Sequence, residues 1–309
     1  MPLIAVVGAT ATGKTALAVA LAQQLGTEII SADSRYVYRG LDIGTAKPTE
    51  VERQGIPHAL IDVADPTEQF TVAQYQAQAT QSIKAIRARG KSPIVVGGTG
   101  FYLRAVLQAP SQVPSVAPQP VIREALGREL EAQGLEALYQ RLQQLDPLRA
   151  SQLYPQDAFR IVRALEIIEA TGQPVPQAVE EPPPYPVVWL GLRWRNRDRH
   201  RALLSQRIAQ QVADGWIEEA EALMARYGAD AHALQTTLGY PEWMDYRSSN
   251  ATNPQPVMDA IALKTSQYAG RQRTWFNKNP AIHWLDIDDV SLADQCAWAR
   301  QHLEGYVTK

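Results

Sequence analysis

The sequence contains a single cysteine, Cys296, among its 309 residues. No disulfide can form within the chain, and a buried thiol in a reducing, cytoplasmic setting is the expectation. Long apolar runs are missing as well. The opening LIAVV is too short for a signal peptide or a membrane span and leads straight into a glycine turn, so it predicts a core strand. Neither charge is in excess: the formal net value is −2. Global charge gives no pointer to nucleic acid, and any such binding must come from a local basic surface. No His/Cys cluster has the spacing of a zinc site. There are no internal repeats, and the only biased tracts are two proline-rich stretches. What the chain does have is 45% hydrophobic residues, enough for a sizeable core in one large domain with or without an appendage.

The segment LIAVVGATATGKTALAVALAQQL reads as buried strand, glycine turn and helix. EII (28–30) predicts a short second strand. FTVAQYQAQATQSIKAIRARG places Val72, Tyr75, Ala79, Ile83 and Ile86 at helical spacing, with Gly90 as a stop. SPIVVGG is a further buried strand. This alternation predicts an α/β fold: a P-loop NTPase-like core with a parallel sheet flanked by helices, and ligands at the carboxyl ends of the strands. From about Pro110 to Pro186 the strand pattern stops. VIREALGRELEAQG, LEALYQRLQQL and AFRIVRALEIIEATG are helical stretches there, bordered by prolines. We expect a helical insertion domain at 111–186, set into a core formed by 1–110 and 187–309. VVWLGLRW (187–194) returns as a strand, and a last short strand is expected near IHWLDI.

Gly8-Ala9-Thr10-Ala11-Thr12-Gly13-Lys14-Thr15 fits the full G-x-x-x-x-G-K-[ST] pattern between a strand and a helix. Glycines let backbone N–H groups converge on phosphate oxygens, and the helix N-terminus adds partial positive charge. Lys14 can reach a terminal phosphate, and the Thr15 hydroxyl can ligate Mg²⁺. The pattern establishes a polyphosphate site. It does not specify a nucleotide, because a diphosphate ester presents the same oxygens.

Downstream, ISADSRYVYRGLDIGTAKP places Asp33 at the end of the second strand. Three roles are open to it from the residues alone: a Mg²⁺ partner near the phosphates, an Asx-turn, or a base in a cleft. VVGGTGFYLRAV supplies Gly97, Gly98 and Gly100, which let a strand end approach a ligand and present the Thr99 hydroxyl at the same sheet edge. Asp33 and Thr99 are expected to face one cleft.

Taken in order, GATATGKT, SADSRYVYRGLDIGTAKP, IPHALIDVADP, VVGGTGFYLRA, PQDAFRIVRALEI, RALLSQRI and YAGRQRTWF with HWLDI resemble the tRNA dimethylallyltransferases (isopentenyl transferases). The resemblance spans nearly the whole chain. It implies transfer of a dimethylallyl group from dimethylallyl diphosphate to N6 of an adenosine beside the tRNA anticodon, at position 37, with Mg²⁺, by a cytoplasmic monomer that needs no membrane. It makes Asp33 the base that accepts the amine proton, with Thr99 at the reacting region and Arg207 on the diphosphate. It assigns tRNA contacts to Asp33, Ser34, Arg35, Tyr36, Thr99, Arg123, Gln156, Asp157, Ala158, Phe159 and Arg160.

Other residues are read with less help. RWRNRDRHR (193–201) is split between solvated surface and RNA backbone contact, with Asp198 a candidate helix cap. Leu203, Leu204, Ile208 and Val212 give the following helix its buried face. Arg271 and Arg273 are candidates for tRNA phosphates, Trp275 and Phe276 for packing. Taken as an isolated aromatic, Phe159 is expected in the core. His58 and Asp62 are candidates to pair. Four positions depart from the family pattern: Ala9, Tyr36, Gln211 and Gly270, the last two removing positive charge that would serve RNA or diphosphate. Competing readings are a P-loop small-molecule or nucleotide kinase, a non-enzymatic nucleotide switch or RNA-binding module, and an isopentenyl transferase acting on free adenine nucleotides.

Overall fold

A computed structural model describes residues 1–107, 116–176, 185–249 and 251–306. The chain divides into two compact units: Met1–Ala109 with Pro182–Lys309, and Pro110–Glu181. The proline-rich borders on which the sequence boundaries rest fall largely outside the described residues.

The first stretch of the larger unit runs β1 (Leu3–Gly8), α1 (Lys14–Leu25), β2 (Ile29–Ser31), α2 (Glu50–Arg53), β3 (His58–Ala59), α3 (Val72–Ala88), β4 (Ile94–Gly97) and α4 (Gly100–Leu107). The smaller unit holds α5 (Pro120–Leu145), α6 (Pro147–Ser151) and α7 (Ala158–Thr171). The larger unit resumes with β5 (Val187–Arg193), α8 (Arg197–Ala213), α9 (Trp216–Tyr227), α10 (His232–Thr236), α11 (Tyr240–Ser248), α12 (Gln255–Phe276), β6 (Ile282–Asp286) and α13 (Leu292–Leu303).

The strands form a six-stranded sheet in the order β3-β2-β4-β1-β5-β6, and every pairing is parallel. β1 lies between β4 and β5 and is buried along its whole length. Its side chains alternate between two cores. Leu3, Ala5 and Val7 point into one, with Ile30, Val95 and Trp189; Ile4 and Val6 point into the other, with Leu17, Leu21 and Leu190. The strand therefore reads as a continuous apolar run, as a sheet covered on both faces requires.

α3 begins with a capping box between Thr71 and Gln74 and buries Tyr75, Ala79, Ile83 and Ile86; Val72 packs partly buried against the same core. In the smaller unit α5 breaks at Gly134, whose φ is 82°, so the two helical stretches read from the sequence meet at that glycine. Leu126, Leu138, Leu142, Ile161 and Leu165 form a core of their own. Among the described residues no helix is long and apolar enough to cross a membrane.

Several local expectations are corrected. The cap of α8 is Asn196, whose side chain accepts from the Asp198 and Arg199 amides; Asp198 therefore falls in the first turn. The buried face of α8 contains Leu204 and Ile208 as expected, with Val212 packing partly buried against the core, and adds two polar residues, His200 and Gln211. Phe159 is 77% exposed, because it stands in the first turn of α7, away from the face buried by Ile161, Ala164 and Leu165. His58 and Asp62 do not pair: His58 Nδ1 bonds the Ile56 carbonyl and Asp62 takes the Lys47 ammonium.

Candidate active site

The phosphate loop leaves β1 through Gly8, at φ 148°. A side chain here would collide with the Leu192 carbonyl of the neighbouring strand, so only glycine lets the loop start so close to β5. α1 then starts at Lys14 from a left-handed Gly13, with no side-chain cap and no acid in its first turn. Its leading N–H groups are left to whatever anion enters.

Residues far away in sequence brace this loop. Gln272 of α12 accepts from the Thr10 amide at 2.9 Å and donates to the Gly98 carbonyl at 3.0 Å, tying the loop to the end of β4. Trp194 donates its indole N–H to the Ala11 carbonyl at 2.9 Å. His200 Nε2 lies 2.9 Å from the Thr10 carbonyl. A carbonyl only accepts, so Nε2 carries the proton, and Nδ1 is free to accept from Arg273 Nη1 at 3.5 Å. Burial lowers the His200 pKa; the Thr10 hydrogen bond opposes this, and the charges of Arg273 and Lys14 add to it. The imidazole is neutral. Sequence reasoning missed Gln272, Trp194 and His200 as loop braces, although all three lie inside quoted motifs; their partners are 183 to 262 residues away in the chain.

Lys14 donates to the Ala9 carbonyl at 2.6 Å. Burial pushes its pKa down to about 8, against the pull of Asp33 and with a further push from Arg207. Arg207 also donates to Thr10 Oγ1 at 3.4 Å. Asp33 and Arg207 thus both act on Lys14 of the loop. Asp33 Oδ1 accepts the Arg35 amide at 2.8 Å, and its other oxygen has no hydrogen-bond partner among the described residues. The Asx-turn read from the sequence is real, and it occupies only half of the carboxylate.

Thr99 closes the opposite side. Its hydroxyl accepts from the Ser34 amide at 3.0 Å and lies 3.3 Å from Ser34 Oγ, and its own amide bonds the Ala32 carbonyl. Burial, and the Asp33 charge after it, raise the Tyr268 pKa to about 12, while the Thr99 hydroxyl opposes the rise. Tyr268 stands inside the α12 run yet was not singled out by the sequence. Arg35 reaches Thr236 Oγ1 at 2.9 Å. The Tyr36 hydroxyl donates to the Ala46 carbonyl at 2.8 Å. Burial and Asp33 raise its pKa while Arg207 opposes them.

The 42–47 loop behind Tyr36 is held by polar groups that are buried or half-buried. Glu219 accepts from the amides of Asp42, Ile43 and Gly44 at 2.7–3.0 Å and from the Tyr240 hydroxyl at 2.6 Å. Lys47, 6% exposed, donates to the Tyr38 carbonyl, Asp42 and Asp62. Gln211 donates to the Ile43 and Gly44 carbonyls. Its expected effect on ligand charge is therefore misplaced: this side chain is buried and serves the loop.

The remaining predicted residues lie in the smaller unit. Arg123 pairs with the fully buried Glu166 at 2.8 Å, which Arg163 also approaches at 2.9 Å and the Gln119 amide at 2.6 Å. Asp157 caps α7 through the Arg160 amide. Phe159 is open to solvent, and Tyr154 beside it in sequence is 78% exposed.

The model of the IPP transferase family matches residues 36–279. The chain belongs to this family. It is 44% identical over 291 residues to the tRNA dimethylallyltransferase of Acaryochloris marina, covering 94% of each chain. It is 46% identical over 287 residues to that of Thermosynechococcus vestitus, covering 92% of this chain and 89% of the other. Among solved structures, the tRNA isopentenylpyrophosphate transferase of Bacillus halodurans superposes with a TM-score of 0.73 at 38% identity, over 99% of this chain and 96% of that one. A eukaryotic dimethylallyltransferase acting on tRNA superposes with a TM-score of 0.80 at 26% identity, over 97% of this chain and 77% of that one. The family model begins at residue 36, beyond the phosphate loop and Asp33, so those residues take their meaning from the cleft itself.

Proposed function

We infer that this chain transfers a dimethylallyl group from dimethylallyl diphosphate to N6 of the adenosine at tRNA position 37, releasing diphosphate. Relatives of nearly full length with this activity in their names support the reaction. The observation that carries its chemistry is the half-engaged Asp33 carboxylate, whose charge, with that of Arg207, acts on Lys14 of the phosphate loop.

In the reaction N6 attacks the allylic carbon, the carbon–oxygen bond to diphosphate breaks, and the amine loses a proton. Negative charge grows on the departing diphosphate, where Lys14, Arg207 and the N–H groups leading α1 lie ready. The adenine amine is a weak nucleophile because its lone pair is delocalised into the ring. The free oxygen of Asp33 accepts its proton, while the Asx-turn fixes the carboxylate's direction. Thr99, held by Ser34, donates or accepts at the reacting edge of the base. The adenine leaves its stack to reach this cleft, at a cost of a few kcal/mol.

Mg²⁺ suits the donor set. Mg²⁺ typically takes few protein ligands beside phosphate oxygens and water, and the Thr15 hydroxyl stands in the first turn of α1, next to Lys14. Thr15 would hold it, and it would supply charge to the leaving diphosphate. Gln156–Arg160 and Arg123 of the smaller unit, with Ser34, Arg35 and Tyr36, are the proposed tRNA contacts. Phosphoryl transfer from ATP is not favoured, since the named relatives are allyl transferases.

Asp33→Ala tests the assignment. Allyl transfer should fall by ~10²–10⁴, the usual cost of losing a general base, with diphosphate binding nearly intact. Unchanged turnover contradicts the role.

A further inference from the structure

Every polar atom of Thr10, in the phosphate loop, is held from within the protein. Its N–H donates to Gln272 Oε1 at 2.9 Å, its carbonyl accepts from His200 Nε2 at 2.9 Å, and its hydroxyl accepts from Arg207 at 3.4 Å. Two consecutive residues of α12 stand behind this grip: Gln272 directly, and Arg273 through His200. Gln272 has a second partner, since its amide N–H donates to the Gly98 carbonyl at 3.0 Å. It is 7% exposed and is the one polar residue on the buried face of α12, beside Ile261, Ala269 and Phe276; nearby Arg271 and Thr274 are exposed. A buried amide is costly unless both its ends are bonded. Here each end reaches a different wall of the cleft.

The second wall is the turn Gly98-Thr99-Gly100. A side chain at Gly98 would run into the Gln272 amide, and one at Gly100 into the Trp275 indole. α12 therefore seats against the turn on both sides of Thr99, and only glycine lets the two come so close. The room that these glycines offer to a ligand in the sequence reading is taken by α12. The Thr99 hydroxyl between them accepts from the Ser34 amide, next to Asp33 in the chain. One amide side chain thus ties the loop that receives the diphosphate to the turn beside the acceptor base. We propose that Gln272 is a positioning residue for allyl transfer: by fixing the separation between Thr10 and Gly98 it holds Thr99 in register with the departing diphosphate, and it acts on the chemical step rather than on the binding of either substrate. The proposal rests on the reaction given above. A misplacement of about 1 Å among reacting groups costs about 10²-fold in rate.

The test is the single-turnover rate of allyl transfer with tRNA and dimethylallyl diphosphate both saturating, beside the KM for dimethylallyl diphosphate. Gln272→Leu removes both bonds and leaves an apolar side chain of similar reach; its rate should fall about 10²-fold with that KM little changed. Gln272→Glu keeps an acceptor for the Thr10 amide and sets a carboxylate oxygen against the Gly98 carbonyl. If the tie to the loop alone mattered, this variant would keep its rate; the expected result is a loss of the same order, and it carries the test should Gln272→Leu not fold. Thr99→Val removes the hydroxyl that Gln272 places. Adding Gln272→Leu to Thr99→Val should then cost little beyond the slower single change, whereas independent effects multiply. A raised KM for Gln272→Leu with its saturated rate unchanged, losses that multiply, or a Gln272→Glu protein as fast as the unaltered one overturns the assignment and leaves the reaction standing. An unaltered protein that transfers no allyl group overturns both.

Discussion

Lys14 gives the cleft its pH dependence. Its ammonium has a pKa of about 8, well below the ordinary 10.5, chiefly because burial disfavours the charge. Diphosphate needs that charge. As pH rises through about 8 the free enzyme loses it, so the KM for dimethylallyl diphosphate should be flat below that point and climb by up to ~10-fold per pH unit above it. Lys14→Arg keeps its charge and should flatten the profile. A KM in the unaltered protein that ignores pH up to roughly 9.5 contradicts this account of Lys14. The sign for stability follows from the same shift. The folded chain binds the Lys14 proton less tightly than the unfolded one, so the cost of this buried charge is full below about pH 8 and is relieved as pH rises toward 10.5. His200 adds no charge of its own: held neutral by burial, it passes a hydrogen bond from Arg273 to the Thr10 carbonyl.

Among the elements, the loop between β2 and α2 shows what sequence patterns reveal and what they hide. The buried strands were legible as short apolar runs running into glycine, and α3 because its apolar residues recur at helical spacing and Gly90 marks its end. Arg207 and Lys14 were legible through motifs. The two-residue strand β3 was not, since so short an element carries no period. Phe159 was misplaced because hydrophobicity alone says nothing about which face of a helix turn meets solvent. The grip of Glu219 and Gln211 on residues 42–44 was invisible for another reason: a half-buried carboxylate that satisfies three consecutive amides looks, in sequence, like any surface acid of α9. Glu219→Ala strands those amides and the Tyr240 hydroxyl, and chemical denaturation should show a loss of about 1–3 kcal/mol. Glu219→Gln keeps one acceptor oxygen and should lose less. Equal losses, or none, contradict a clamp. The loop also carries the Ala46 carbonyl to the Tyr36 hydroxyl, so the same variants should lower kcat/KM for tRNA more than for dimethylallyl diphosphate.

At the scale of the whole molecule, the two compact units have separate cores and separate tasks in the proposed reaction. The larger one contains the complete diphosphate cleft, from the phosphate loop to Asp33, Thr99 and Arg207. The smaller one offers exposed Tyr154, Phe159 and Arg160 at the start of α7, on a scaffold tied together by the buried Glu166 and its two arginines. A small-molecule enzyme has no evident use for such a surface; an RNA-modifying one does. The phosphate loop alone left kinase and allyl transferase both open, and only the ordered set of motifs, then the relatives, separated them. The measurement that goes to the centre of the account is mass analysis of nucleosides after incubation with Mg²⁺, dimethylallyl diphosphate and unmodified tRNA, beside an equal incubation in which AMP, ADP or ATP replaces tRNA. The account predicts adenosine heavier by one dimethylallyl group from the tRNA alone. Modified free nucleotide with unmodified tRNA, or ATP consumption without any allyl transfer, would contradict it.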